Sequence, residues 1–209
     1  MPGKTGKPVG SSRTALQILF IILALGVLAI PFAVVVASGT ASLDATWTSL
    51  RIAAILAFSL IFLDITTGAF RPYFNRIYKA RTVQRYHTAF ALAGFALALA
   101  HGILATTFGL TGFKPIAVAV GPAALAVLTV IILTALIRRR FRHVWRWIHR
   151  LNYLVFAAIL VHAFMLGYDV KNSLSLKVVI SLYAALAAAG LAYRLTPLRP
   201  SADGGGTRR

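Results

Sequence analysis

The feature that most constrains this chain is a series of six apolar runs, each long enough to cross a membrane. A bilayer has a hydrocarbon core of about 30 Å, which a helix of about 20 apolar residues spans. The runs cover about 15–37, 48–70, 86–109, 116–137, 151–168 and 174–194. They predict an all-α membrane protein, a bundle of six transmembrane helices.

Composition supports this class and excludes others. Apolar residues make up 59% of the sequence and charged residues 12%, about half the charged share of an ordinary soluble domain. Intrinsic disorder needs the opposite balance, with low hydrophobicity and many charges. The sequence has no cysteine, which excludes disulfides, thiolate metal sites and iron–sulfur clusters on this chain.

The runs divide the chain into three parts. We expect a cytoplasmic N-terminal tail at 1–14, a transmembrane domain at 15–196 and a disordered cytoplasmic tail at 197–209, which is rich in proline and glycine. The first run is longer than the core of a secretory signal, about 7–15 residues, so we expect a retained helix.

The positions of the basic residues predict the orientation. Cytoplasmic loops carry an excess of lysine and arginine. If the N-terminus is cytoplasmic, all 22 lysines and arginines lie on the inner side except Arg51, Lys114, Lys171 and Lys177. Both termini are then cytoplasmic. The formal charge of +18 lies between apolar runs, so it indicates anionic lipids as partners and no nucleic acid.

Four of the five histidines form two pairs at matching heights. His87 and His101 lie 14 residues apart in the third run, and His149 and His162 lie 13 apart at the fifth. At 1.5 Å per residue these steps rise about 21 Å and about 19.5 Å. His87 and His149, here called the first pair, therefore lie near the inner surface. His101 and His162, the second pair, lie near the outer one.

Neutral imidazole is a good axial ligand for haem iron, so two level pairs predict two stacked b-type haems, or one if a pair fails. An ideal helix separates His149 and His162 by about 140° around its axis, which requires an irregular or tilted helix, or haems on different sides. Two other interpretations stay open: histidines that only bridge helices by hydrogen bonds, and a proton-conducting histidine chain. His143, in the loop 138–150, has no partner at its height and is expected to be solvated.

Two segments resemble the ferric reductase-like transmembrane domain family. They are Arg85-Tyr86-His87 with Ala100-His101-Gly102, and Trp147-Ile148-His149-Arg150-Leu151-Asn152-Tyr153 with Val161-His162-Ala163-Phe164. The family includes the haem domains of NADPH oxidases and the membrane subunit of the bacterial periplasmic methionine-sulfoxide reductase system. The resemblance implies six helices with cytoplasmic termini and haem b ligated by the first and second pairs.

The resemblance also implies a transmembrane electron-transfer subunit of a bacterial-type inner membrane. Only about 15 residues follow the sixth run, so we expect no FAD or NADPH site on this chain. It would be an oxidoreductase component that needs a separate donor, either a cytoplasmic flavin reductase or quinol. The acceptor would be a periplasmic redox protein, ferric iron or oxygen. The alternatives are a haem-free small transporter or proton channel that uses intramembrane histidines, and a structural subunit.

Charged residues near the histidines complete the candidate site. Arg81, Arg85 and Arg150 lie close to the first pair in sequence, and guanidinium groups can pair with haem propionates. The plainer interpretation is that these arginines meet lipid headgroups. Asp64 is the acid predicted to lie well within a run. We favour an ion pair with Arg71 or an arginine of the next loop, with proton acceptance or orientation of a histidine N–H as alternatives.

Overall fold

The computed structural model describes residues 10–37, 44–107, 114–140 and 142–196, and every regular element in these ranges is a helix. The helices are α1 (Gly10–Ala37), α2 (Ala45–Ala69), α3 (Arg71–Ile77), α4 (Ala80–Thr106), α5 (Pro115–Leu136), α6 (Arg142–Arg150), α7 (Asn152–Leu166), α8 (Tyr168–Asn172) and α9 (Leu174–Leu195). The predicted C-terminal tail and most of the N-terminal tail lie outside the described residues.

Within the described ranges, six segments are long and apolar enough to span a membrane, which confirms the predicted all-helical class and span count. They are α1, α2, α4, α5, the combined α6–α7 segment His143–Leu166, and α9. The third span begins at Ala80 and the fifth at His143, each about two turns earlier than the sequence predicted. Polar and charged residues in these first turns had hidden the continuation of both helices.

Helix α2 is the centre of the bundle. Two-thirds of its apolar window is buried (67%), against 28% or less in every other candidate span. It packs against α4 most extensively and also contacts α1, α7 and α9. The outer helices therefore turn much of their apolar surface outward, as expected for helices that face lipid tails.

An aromatic stack locks α2 to α7 and α9. The rings of Phe62 and Tyr183 are nearly parallel with centroids 4.4 Å apart, and those of Phe58 and Phe156 are 5.1 Å apart. The Tyr183 hydroxyl donates a hydrogen bond of 2.9 Å to the Val27 carbonyl oxygen, which adds α1 to the same cluster. The buried hydroxyl thus has the partner that an apolar interior requires.

Close approach of α4 to α2 depends on Gly94. A Cβ atom added there would lie 3.1 Å from Ile61 Cγ1, 3.2 Å from Leu60 Cβ and 3.3 Å from the Ile61 backbone nitrogen. Small residues allow helix backbones in a membrane bundle to approach closely. The tight contact fixes α4, which carries both His87 and His101, against the central helix α2.

The two ends of the bundle have different polar contacts. At the basic end, where α3 lies, Arg13 Nε and Gln17 Nε2 donate to the Ile77 carbonyl oxygen at 2.7 and 2.9 Å. At the opposite end, the buried Arg51 guanidinium forms a bidentate ion pair with Asp169, in which Nε lies 2.8 Å from Oδ2. These contacts tie the ends of α1, α2 and α8 to the bundle.

Candidate functional site

The structure places the two histidines of each pair opposite each other, on neighbouring segments of the bundle. The ring centroids of His87 and His149 are 5.8 Å apart, with an angle of 87° between the ring planes. Those of His101 and His162 are 6.5 Å apart at 79°. Helix α4 supplies one histidine of each pair, while α6 and α7 supply the other two. His143, by contrast, is exposed at the start of α6.

The fifth span is locally irregular at Leu151, between the two helices that carry His149 and His162. Helix α6 ends at Arg150 and α7 begins at Asn152. Between them the Leu151 N–H bonds to the Ile148 carbonyl oxygen at 3.0 Å, a three-residue step in place of the usual four. The fifth span is therefore irregular, one of the solutions that the angular mismatch of a straight helix required.

Three of the four histidines have their Nδ1 atom held by an oxygen atom. His101 Nδ1 lies 3.2 Å from the Leu50 carbonyl oxygen, and His162 Nδ1 lies 3.2 Å from that of Ala117. His87 Nδ1 lies 3.1 Å from the Asp64 carbonyl oxygen. A carbonyl oxygen only accepts hydrogen bonds, so the proton of these neutral rings lies on Nδ1. The lone pair that can bind a metal is then on Nε2.

Gly121 gives His162 its place against α5. A Cβ atom at this position would lie 2.7 Å from His162 Cε1 and 3.1 Å from its Nδ1. Real Cβ atoms essentially never come that close, so any larger residue would push the ring away. The corresponding glycine beside the first pair, Gly68, is less crowded, since its added Cβ would lie 3.4 Å from His87 Cε1.

A cavity of about 670 Å³ lies beside the first pair, a volume typical of cofactor sites. His87 and His149 line it, together with apolar side chains such as Leu128, Ile131 and Ile132. Four arginines also line it: Arg71, Arg138, Arg139 and Arg194. The cavity is thus apolar with a cationic rim, which suits a flat apolar ligand that carries carboxylates.

The arginines of this rim are not the three singled out from the sequence. Arg81, Arg85 and Arg150 are exposed, and none of the three is among the residues that line the cavity. The Arg150 guanidinium instead lies 4.6 Å from the centroid of the Trp147 ring. Proximity along the chain did not reveal the rim because Arg71 and Arg194 reach it from α3 and the end of α9.

Asp64 contacts a histidine and not the expected arginine. Its Oδ1 atom lies 2.6 Å from His87 Nδ1. The hydrogen bond of that Nδ1 goes to the backbone carbonyl oxygen of the same residue at 3.1 Å, and Oδ1 is buried without a hydrogen-bond partner of its own among the described residues. Of the alternatives considered from the sequence, orientation of a histidine N–H is the one that this contact provides. Metal-binding histidines commonly donate their second ring N–H to a carboxylate or a carbonyl oxygen, which fixes the ring and raises its basicity as a ligand.

His149 is the exception among the four. Its Nδ1 atom is buried and has no hydrogen-bond partner among the described residues, and the same is true of Nε1 of Trp145, which stacks on it with centroids 5.2 Å apart. Both residues line the cavity. Buried polar atoms are nearly always partnered in native proteins, so two orphaned nitrogen atoms in one wall fit a cavity that receives a polar or metal-containing ligand.

The donor set fits haem better than a bare metal ion. In the described parts of the chain no three histidine, aspartate or glutamate side chains form a metal-binding group, so each pair offers two imidazoles. Two imidazoles that bind one transition-metal ion from opposite sides, with bonds of about 2.0 Å, have ring centroids about 6 Å apart. Both observed separations are close to this value. A porphyrin would supply the remaining ligands itself.

Comparison with known proteins adds no relative from which a function could be transferred. The sequence matches no protein-family model, and a search of curated proteins finds no match either. The resemblance to the ferric reductase-like family therefore stays a prediction, which depends on the residues quoted above.

Proposed function

We propose that this chain is a cytochrome b-type electron-transfer subunit with two haem b groups, one held by each histidine pair. Electrons would pass from a donor at the basic end to an acceptor at the opposite end. The observation that carries the proposal is the pair of facing imidazole couples, with ring centroids 5.8 and 6.5 Å apart inside a six-span bundle. Ionisable side chains within a membrane span are costly and are functional candidates by default.

The two histidine pairs and the rim arginines would have separate roles. His87 and His149 would hold one group and His101 and His162 the other, about 21 Å apart along α4. Haem iron would supply a one-electron carrier at each pair. The ligands and surroundings that these residues provide would set its reduction potential. Apolar side chains such as Leu128 and Ile131 would pack against the macrocycle, and the four rim arginines would be available to its propionates at the cavity beside the first pair. Arg51, which the sequence places on the outer side, forms an ion pair with Asp169.

We further propose that the basic end faces the cytoplasm of a bacterial-type inner membrane, with both termini on that side. The excess of arginine and lysine in the loops of this end supports the orientation. It would attract an acidic soluble donor such as a flavin reductase, and quinol is the other candidate donor. Acceptors at the opposite end are a periplasmic redox protein, ferric iron or oxygen.

The decisive experiment is an absorbance difference spectrum of the purified protein, dithionite-reduced minus air-oxidised, with haem quantified per chain. We expect a b-type spectrum and about two haems. His87→Ala and His162→Ala should each reduce the content to about one haem. His143→Ala is the matched control, because this exposed histidine belongs to neither pair, and it should leave the content at two.

Each alternative predicts a different result. A ratio near one in the unaltered protein, changed by variants of one pair only, would restrict the function to a single-haem cytochrome. A folded protein that binds no haem, although haem was available during synthesis, would refute the proposal. The haem-free transporter, proton channel or structural subunit would then be the better hypothesis.

A further inference from the structure

The two histidine pairs differ in the charge that supports them. In the second pair, both Nδ1 atoms face neutral backbone carbonyl oxygens, those of Leu50 and Ala117, at 3.2 Å. In the first pair, His87 Nδ1 lies 2.6 Å from the carboxylate oxygen Oδ1 of Asp64. One pair thus has an acidic residue in direct contact with a ligand candidate, and the other has only dipoles.

The surroundings make this carboxylate effective. Asp64 is 5% exposed and lies in the most buried helix of the bundle, where a charge is weakly screened. The four rim arginines line the same cavity, but all four are exposed, so water and salt screen them. Propionates would also neutralise part of their charge. The net local effect on His87 is therefore that of a buried negative charge.

We propose that Asp64 is a positioning residue that makes the group held by the first pair the harder of the two to reduce. The inference rests on the proposed function. A carboxylate behind a ligating histidine raises the basicity of the ligand, and its charge opposes the addition of an electron nearby. Both effects stabilise the oxidised form at the first pair and leave the second pair unchanged.

The consequence is a direction for electron flow. A group held by His87 and His149 would give up one electron and be oxidised, and a group held by His101 and His162 would accept it and be reduced. No covalent bond and no proton changes place in this step. The donor, a reduced flavin or quinol, supplies the electron at the basic end. Since the first pair has the lower potential, transfer toward the opposite end is downhill.

The test is a potentiometric titration of the haem-loaded protein, followed by absorbance. Asp64→Asn should shift the lower-potential couple upward by at least tenfold in its reduction equilibrium, about 59 mV for one electron, and should move the other couple by much less. Asp64→Glu restores the charge and should return the couple toward its original potential. Ser59→Ala is the matched control, because it alters a fully buried polar residue of α2 whose hydroxyl contacts neither pair.

Assignment of the couples provides an independent measurement. His101→Ala disables the second pair, so the couple that survives belongs to the first pair and should match the lower potential of the unaltered protein. The inference is overturned if the surviving couple is the higher one. It is also overturned if Asp64→Asn shifts neither couple or both equally. If the unaltered protein binds no haem at all, the proposed function is refuted instead, so the two failures are distinguishable.

Discussion

Replacement of Gly121 by alanine tests how tightly the structure positions a single ligand. The added methyl group would lie 2.7 Å from His162 Cε1, and ordinary van der Waals contact begins at 3.4 Å. The imidazole must therefore move by about 0.7 Å, whereas metal–ligand distances in well-formed sites agree within about 0.2 Å. We expect Gly121→Ala to lose the haem of the second pair and to keep that of the first.

The assay is haem content per chain together with the amplitude of the reduced-minus-oxidised spectrum, both of which should fall by about half. Gly26→Ala is the matched control, because its methyl group on α1 would lie 4.0 Å from Ile30 Cδ1 and within 4 Å of neither histidine pair, and both haems should remain. The reasoning is refuted if Gly121→Ala retains two haems with unchanged spectra. It is equally refuted if both alanine variants lose one haem each.

Three further predictions concern packing and charge. Arg51→Ala leaves the partly exposed Asp169 carboxylate without its bidentate partner and should cost up to about 3 kcal/mol, measured as a loss of thermal stability in detergent. Arg51→Met with Asp169→Leu should be less damaging. Tyr183→Phe removes the hydrogen bond to the Val27 carbonyl oxygen and should lower stability by about 1 kcal/mol in the same assay. Tyr73→Phe is the neutral control, because the Tyr73 ring is exposed. Reduction by a soluble acidic donor should slow as ionic strength rises, because salt screens the basic end; a rate independent of salt from 10 to about 150 mM would contradict electrostatic docking.

Much of the architecture could be predicted from the sequence, because a helix that spans a membrane needs a minimum length of apolar residues. The number of spans followed from run length, and the pairing of the histidines in height followed from a rise of 1.5 Å per residue. The role of Gly94 could also be predicted in part, because a residue without a side chain allows close approach of a cofactor or a helix. In the structure the element that approaches it is α2.

Other features depend on contacts between segments that are distant in sequence, and these contacts cannot be predicted from any one apolar run. The fifth span needed its break at Leu151, but a three-residue step has no strong sequence signature. Asp64 was ambiguous because its partner lies on another helix. A usable signal was present: the second run contains both Arg51 and Asp64, and ionisable groups in a span face the protein interior. That pattern indicates that one face of α2 lies against other helices.

The break at Leu151 also bears on how such a chain could change over evolution. On the α6–α7 side, each histidine sits on its own helical segment, so an insertion at the break adjusts one position without turning the other. On α4 the two histidines share one continuous helix, and a single inserted residue between them would rotate one by about 100° relative to its partner. The spacing of the two histidines is therefore rigid on α4 and adjustable on α6–α7. Compensating changes in length should accumulate around residue 151.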